Sequence, residues 1–267
     1  MIRDEKQPFS RLLPSTAIPP LIFFLAFCWQ LKNQTPLKDQ DTGWHIRAGE
    51  WILQHRSLPA HDMWSYTAGD APWYNLSWLF DVLLGVLHQA GGLSLLYLVT
   101  LIAYASMAAV LAKQAQGRGA GFLPIVVIFP FCVLTVITQI ALCRPNIASS
   151  LFLMVFIYIL TRDRNDPSTR RLAWLPLLMV LWVNMHGGFL IVPFLFAVHL
   201  VEAFWEKDKA RVKRLFVAGI FTALAILVNP YGYHIYDGIM RTMDSAILNS
   251  ILEWQPLNSK RNIHYLL

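Results

Sequence analysis

The sequence predicts an all-α polytopic membrane protein with about seven transmembrane helices in a single transmembrane domain, residues 1–267. Of its residues 56% are hydrophobic and only 14% are charged, whereas soluble domains carry roughly 25% charged residues. Long apolar runs recur, and a bilayer core of about 30 Å needs roughly 20 apolar residues per helix. The net charge of +6 comes from short basic clusters between these runs. We therefore expect membrane lipid as a partner and no binding of nucleic acid.

Seven spans are predicted from the apolar runs. They lie at residues 12–31, 93–111, 121–142, 146–161 and 215–228, with two more within 173–205. The long run is divided in two because the polar segment 184–188 interrupts it, and a polar break inside a membrane helix usually lines a cavity or satisfies freed backbone groups.

A shorter apolar helix is predicted at residues 77–89, where Gly91-Gly92 ends it. Ser77, Asp81 and His88 form one polar stripe on this helix. Such a stripe indicates a helix that lies at the membrane interface or lines a wet cavity.

The distribution of Lys and Arg predicts the orientation. Most of these residues fall in four short segments: residues 1–11, 113–120, 162–172 and 206–214. Cytoplasmic loops carry an excess of basic residues, so the amino terminus is predicted to be cytoplasmic. This topology gives a large first extracytoplasmic loop with interfacial helices at about residues 32–76, and a carboxy-terminal outer segment at about 229–267.

Every polar constellation of the chain then lies on the outer face. They are Asp39/Asp41/His45, Arg144-Pro145, Asn184/His186, Asn229-Pro230 and Glu253-Trp254. Ionisable groups near membrane depth usually face a protein-lined or water-filled cavity, so this convergence predicts one site there. The inner loops are predicted to hold only dispersed charges, with His199 and Glu202 as packing or headgroup contacts.

Asp39 and Asp41 stand two residues apart in the polar segment 38–78. In a loop both carboxylates can reach one divalent cation, or one can act as a base while the other positions it. A solvated acidic turn is the alternative. His45, close by, is either structural or part of the same site.

Arg144, Asn184 and His186 are the other candidates for binding. The guanidinium of Arg144 can hold a lipid phosphate or pyrophosphate through two hydrogen bonds, or it can serve as an interfacial anchor. Asn184 and His186 stand at the break within 173–205, and cavity lining is the favoured interpretation. The tryptophans of segment 38–78 suit either an interfacial belt or stacking on sugars, and the sequence does not separate these uses.

Several motifs of this chain resemble those of a family of bacterial polytopic membrane proteins. They are D-x-D-x-x-W-H-I-x-x-G-E-W-I at 39–52, S-L-P-A-H-D-x-x-S-Y-T at 57–67, P-W-x-x-x-x-W-L at 72–79, Arg144-Pro145, W-V-N-M-H-G-G at 182–188, N-P-Y-G at 229–232 and E-W-Q-P at 253–256. This family is similar in plan to the GT-C class of glycosyltransferases, which includes enzymes related to dolichyl-phosphate mannosyltransferases.

The resemblance implies a site and a reaction. An acidic residue in the first outer loop, here Asp39 or Asp41, would act as the base or bind a divalent metal, Mg²⁺ or Mn²⁺. Arg144, His45 and His186 would contact the phosphate of a polyprenyl-phosphate sugar donor. The acceptor would be a glycan, lipid or protein of the cell envelope. The location implied is the bacterial inner (plasma) membrane, with the site on the extracytoplasmic face.

A second hypothesis is a non-enzymatic membrane subunit, or a transporter, of envelope polysaccharide assembly. Transporters carry polar groups through the membrane midplane and internal repeats, and neither is obvious in this sequence. GT-C proteins usually continue with further spans, so the sequence also indicates a fragment or a minimal form.

Overall fold

The computed structural model describes residues 40–66, 71–117, 119–120 and 143–244. This part of the chain is helical, and its one β-type contact is an isolated antiparallel bridge between His61 and Pro72. We number the α-helices in chain order: α1 Gln40–His55, α2 Trp78–Gly117, α3 Asn146–Asn165, α4 Thr169–Leu172, α5 Trp174–Met185, α6 Val192–Trp205, α7 Lys209–Ala225 and α8 Ile235–Met243. Short 3-10 helices occupy Gly187–Ile191 and Gly232–His234.

Within the described residues, three helical segments are long and apolar enough to cross a membrane: Trp78–Gln116, Asn146–Asn165 and Gly187–Trp205. Large apolar side chains such as Phe194, Val201 and Phe221 are exposed on the surface of the bundle, where lipid would cover them. A membrane protein is therefore supported, while the count of seven spans stays a prediction. The spans predicted at 12–31 and 121–142, and the segment around Glu253, lie outside the described residues.

The predicted helix breaks are confirmed. Gly91 and Gly92 have non-helical backbone angles inside α2, with Gly92 at φ 61°, so the helix predicted at 77–89 and the following span form one kinked helix. The long run 173–205 divides at His186, whose backbone is extended between α5 and the next 3-10 helix. Both breaks stand where a polar segment or a glycine pair interrupts an apolar run.

Helices α3, α5, α6 and α7 form the main core. Their fully buried side chains include Phe156, Leu160, Leu175, Met179 and Trp182. Lipid tails are as apolar as these side chains, so close packing rather than removal of water holds such a bundle together. After the end of α7, Asn229 closes a turn by donating to the carbonyls of Ile226 and Gly232.

Helix α1 packs closely on the first part of α2. A Cβ atom at Gly49 would lie 1.8 Å from the carbonyl oxygen of Asp81, and one at Gly85 would lie 2.8 Å from the carbonyl carbon of Gly49. The polar stripe of α2 faces α1: His88 Nδ1 lies 2.8 Å from Glu50 Oε1, and Asp81 is fully buried. The stripe therefore joins two helices.

An ion network lies at the end of the bundle where α3 and α6 end and α7 begins. We call this end of the bundle the charged end. Arg211, 1% exposed, donates to Glu202 at 2.7 Å and to Glu206 at 3.1 Å. Arg164 binds both glutamates as well. Arg214 donates to the buried carboxylate of Asp163 at 3.2 Å. The prediction of dispersed charges is wrong here, because charges from α3, α6 and α7 that are far apart in sequence meet at one level. Glu202, predicted to be a packing or headgroup contact, is a member of this network.

Replacing Gly49 should separate α1 from α2. We expect Gly49→Ala to lower the free energy of unfolding by about 3 kcal/mol, because the new methyl group would overlap backbone atoms of Asp81. Chemical unfolding in detergent, followed by tryptophan fluorescence, measures the change. Gly43→Ala is the matched control, since nothing lies within 4 Å of that position. Equal stability of the two variants would contradict the packing described here.

Breaking the charged end should also destabilise the fold. Arg211→Met keeps most of the side-chain volume but leaves two carboxylates without their buried partner, so the free energy of unfolding should fall by about 2 kcal/mol. The same unfolding measurement applies. Lys213→Met, at an exposed position on α7, should leave stability within about 0.5 kcal/mol of the parent. An unchanged Arg211→Met protein would show that the network does not stabilise the bundle.

Candidate functional site

Polar side chains from five segments meet at the end of the bundle opposite the charged end; we call this the site end. The segments are the start of α1, the loop before α2, the start of α3, the break after α5, and the turn after α7. The contacts that join them include Arg144 with Asp41, Ser149 with His186, Trp78 with Asn184, and Asn75 with Tyr231. Because α3 rises about 1.5 Å per residue over its 20 residues, the two ends are roughly 30 Å apart.

A buried His–Asp–Asn arrangement forms the centre of the site end. His45 Nδ1 lies 2.6 Å from Asp81 Oδ1, and Asn75 Nδ2 donates to Asp81 Oδ2 at 2.7 Å. An ionised carboxylate only accepts hydrogen bonds, so Nδ1 of His45 carries the proton that Asp81 binds. This leaves Nε2 of a neutral His45 as a proton acceptor. The pair can therefore act as a base that Asp81 orients.

Asn75 is held in place from several sides. Its side-chain oxygen accepts from the backbone N–H of Ser77 at 3.0 Å and from the hydroxyl of Ser77 at 3.2 Å. Its backbone N–H donates to the hydroxyl of Tyr231 at 2.9 Å. The loop before α2 is thus joined to the turn after α7, which fixes the amide that binds Asp81.

Arg144 and Asp41 form an ion pair beside this centre. Arg144 NH2 lies 3.1 Å from Asp41 Oδ2, and both side chains are partly accessible. Arg144 precedes α3, where Pro145 is the N-cap residue, so the start of that helix places the guanidinium. The structure therefore brings together two predicted site residues. A guanidinium has five N–H donors, so it can hold a carboxylate and still bind an anion.

His186 occupies the break after α5 and contacts α3. Its Nδ1 accepts from the backbone N–H of Gly188 at 3.1 Å and lies 2.6 Å from Ser149 Oγ. Trp182 Nε1 donates to the same hydroxyl at 2.7 Å, so Ser149 donates its own proton to His186. Burial lowers the pKa of His186, and the nearby His45 lowers it further. The two histidines of the site end are therefore electrostatic neighbours.

Asn184, predicted to line the cavity, bridges helices. Its oxygen accepts from Trp78 Nε1 at 2.8 Å, and its nitrogen donates to the carbonyls of Val180 at 2.7 Å and Val228 at 2.9 Å. These contacts join α5 to α2 and to the end of α7. A role for Asn184 in substrate binding stays a prediction.

Asp39 lies outside the described residues, so its predicted role as a base or metal ligand stays a prediction. Asp41 begins α1 rather than a loop, and its carboxylate is paired with Arg144. Among the described residues no group of three or more His, Cys, Asp or Glu could hold a metal ion. The predicted Mg²⁺ or Mn²⁺ site, which depends on Asp39 as well as Asp41, stays a prediction.

The sequence did not identify Asp81 and Asn75 as site residues. Asp81 was noted only as part of a stripe, although a single carboxylate within an apolar helix needs a partner if it is buried. His45 is the partner, 36 positions away in the chain. Asn75 carried no signal, because one asparagine in a polar loop does not stand out.

The described part of the chain is a helical bundle with three segments apolar enough to cross a membrane, as in a membrane protein, and with a polar cluster at one end. Comparisons with protein-family models, curated proteins and solved structures give no match for this chain. Its function is therefore argued from the site itself.

The lowered pKa of His186 predicts a pH dependence. The unfolded chain binds a proton near the ordinary value of 6.5, whereas the folded chain binds it only at lower pH. The stability that neutral His186 contributes is thus fully present above pH 6.5 and is lost as the pH falls through the folded pKa. Titration of ¹³C-labelled histidines by NMR should place His186 below 6.5, with His186→Gln for assignment. His45→Asn should raise that pKa; titration at or above 6.5 in the parent would contradict the account.

Proposed function

We propose that this chain is a membrane glycosyltransferase of the GT-C type, which transfers a sugar from a polyprenyl-phosphate donor to an envelope acceptor at the extracytoplasmic face. The observation that carries the proposal is the buried His45–Asp81 pair, held 2.6 Å apart, in the same polar cluster as Arg144. A base and a phosphate-binding cation at one end of a membrane bundle suit a donor whose phosphate lies at the lipid surface.

His45 is the proposed base. Its Nε2 takes the proton of an acceptor hydroxyl, and that oxygen attacks the anomeric carbon of the donor sugar. The bond between this carbon and the phosphate oxygen breaks, and the lipid phosphate leaves with the bonding electrons. General bases of this kind contribute roughly 10²–10⁴-fold to a rate. Asp81 keeps the reactive nitrogen unprotonated by binding the proton on Nδ1.

Arg144 is proposed to bind the donor phosphate. Negative charge grows on the phosphate as the sugar leaves, and a positioned guanidinium stabilises that charge in the transition state. Asp41, one of the two residues expected to act as the base or as a metal ligand, is proposed instead to orient Arg144 through their ion pair of 3.1 Å. No step of this mechanism passes through a metal.

His186 is proposed to stabilise the anionic donor from the break after α5. Because Nδ1 accepts two hydrogen bonds, the proton of neutral His186 is on Nε2, which is a donor. A neutral imidazole at His186 does not repel the positive charge that His45 gains when it takes up a proton. The extended backbone at His186 and the adjacent Gly188, whose Cβ would lie 2.3 Å from Ser149 Oγ, set this arrangement.

One observation favours the rival function, a non-catalytic subunit. Asn75 and Asn184 bind protein groups on every side, as they would in a structural clamp. A clamp requires the His45–Asp81 hydrogen bond but not the second nitrogen of His45. Substitutions that keep the bond and remove that nitrogen therefore separate the two functions.

His45→Asn is such a substitution, since an asparagine amide can still donate to Asp81. We expect it to reduce the release of polyprenyl phosphate from polyprenyl-phosphate sugars by about 10²-fold or more. Asp81→Asn should reduce release by roughly 10²-fold, because it removes the acceptor that selects the tautomer. The assay uses membranes that contain the full chain and the native envelope acceptors, with a panel of labelled donor hexoses.

His55→Ala is the matched control, because His55 is an exposed histidine of the same helix. It should retain the parent rate. Unfolding temperatures of all variants show whether the fold persists. The proposal would be contradicted if His45→Asn released polyprenyl phosphate at the wild-type rate. It would also be contradicted if membranes with the parent chain released no more polyprenyl phosphate than membranes that lack the chain.

A further inference from the structure

Three tryptophans form a cluster that adjoins His45. The ring centroids of Trp44 and Trp73 are 5.9 Å apart with the rings at 88°, and those of Trp64 and Trp73 are 5.6 Å apart at 58°. Trp44 in turn contacts the imidazole of His45, at 3.7 Å between centroids. A continuous aromatic surface therefore leads from the loop before α2 to the proposed base.

The loop is folded so that Trp64 and Trp73 meet. Asp62 N–H donates to the carbonyl of Ala71, and Trp73 N–H donates to the carbonyl of Ala60, each at 2.9 Å. The carboxylate of Asp62 accepts from the backbone N–H of Trp64 and of Ser65 at 2.9 Å. These bonds hold two strand-like segments side by side and fix one tryptophan on each.

The cluster differs from tryptophans that serve as interfacial anchors. Trp174 and Trp205 at the charged end are 55% and 87% exposed, as expected for side chains that lie among lipid headgroups. Trp44, Trp64 and Trp73 are half-buried and contact one another.

Trp73 carries a polar group that its surroundings do not satisfy. Its Nε1–H is buried, and within the described residues it has no hydrogen-bond partner. A buried N–H without an acceptor costs roughly 1–3 kcal/mol, so a ligand that supplies an acceptor would recover that energy. Indole Nε1 is only a donor, and a hydroxyl oxygen is one group that can accept from it.

We propose that Trp44, Trp64 and Trp73 form a carbohydrate subsite that holds a pyranose ring beside His45. The C–H face of the sugar stacks on an indole, and the small ring shift that admits the sugar lets one of its hydroxyls accept the Nε1 proton of Trp73. This subsite deepens the proposed function and rests on it. It supplies what the transfer needs next to the base, a sugar held in a fixed orientation.

Binding of soluble sugars tests the subsite separately from catalysis. The full chain is placed in nanodiscs free of glycolipid and sugar-based detergent. Saturation-transfer NMR then measures binding of methyl β-D-glucopyranoside, methyl α-D-mannopyranoside and a trisaccharide of N-acetylglucosamine. The parent should bind at least one of these probes. Trp64→Leu, which removes a stacking face, should raise the Kd for the sugar that the parent binds by about tenfold.

Trp73→Phe keeps an aromatic face and removes only the donor, so the Kd should rise by about fivefold. Trp205→Phe is the matched control and should bind as the parent does. His45→Asn should retain sugar binding while it loses transfer, which distinguishes a failure of the subsite from a failure of the proposed base. No binding by the parent, or parent-like binding by both cluster variants, would overturn the subsite.

A competition arm identifies the source of the sugar. Displacement of the bound probe by a short-chain polyprenyl-phosphate hexose would assign the ring to the donor. Simultaneous binding of the probe and the polyprenyl-phosphate hexose would assign the sugar ring in the subsite to the acceptor glycan. Either result supports a carbohydrate subsite.

Discussion

Burial of Asp81 is the constraint on which the site end depends. A carboxylate removed from water costs several kcal/mol unless its oxygens are bound, and Asp81 is fully buried within an apolar helix. Its two oxygens require His45 and Asn75. Those contacts set the position of α1 on α2 and of the loop before α2, and the close approach at Gly49 makes them possible.

The two ends of the bundle use polar groups differently. At the charged end, arginines and glutamates pair with one another, which fixes the helices without leaving a group for chemistry. At the site end, His45 and His186 each use Nδ1 for structure, and the proposed mechanism assigns the second nitrogen of each to a reactant. Arg144, held by Asp41 at the start of α3, adds a cation at the same level. The site end therefore combines a rigid frame with the polar groups that the proposed mechanism uses.

The sequence predicted the breaks and the convergence, because glycine pairs and polar interruptions are local signals. Gly91-Gly92 and the segment around His186 are examples. Pairings across the chain could not be predicted: His45 with Asp81, or Arg164 with Glu206, depends on helix rotation and register, which hydropathy does not encode. The sequence leaves Asp39 and Asp41 as equal candidates for a base or a metal ligand, because it does not show that Asp41 pairs with Arg144. Trp44, Trp64 and Trp73 were ambiguous for the same reason, since only the folded loop shows that their rings meet.

The most direct test of one catalytic site is a structure of the full chain in nanodiscs with a polyprenyl phosphate bound. The measured quantities are the distances from the phosphate oxygens to the guanidinium of Arg144 and to Nε2 of His186. We predict hydrogen-bond distances to both groups, with Nε2 of His45 facing the same space. A phosphate bound elsewhere, or a space between Arg144 and the two histidines filled by apolar side chains, would contradict the account and leave the polar cluster as a structural clamp.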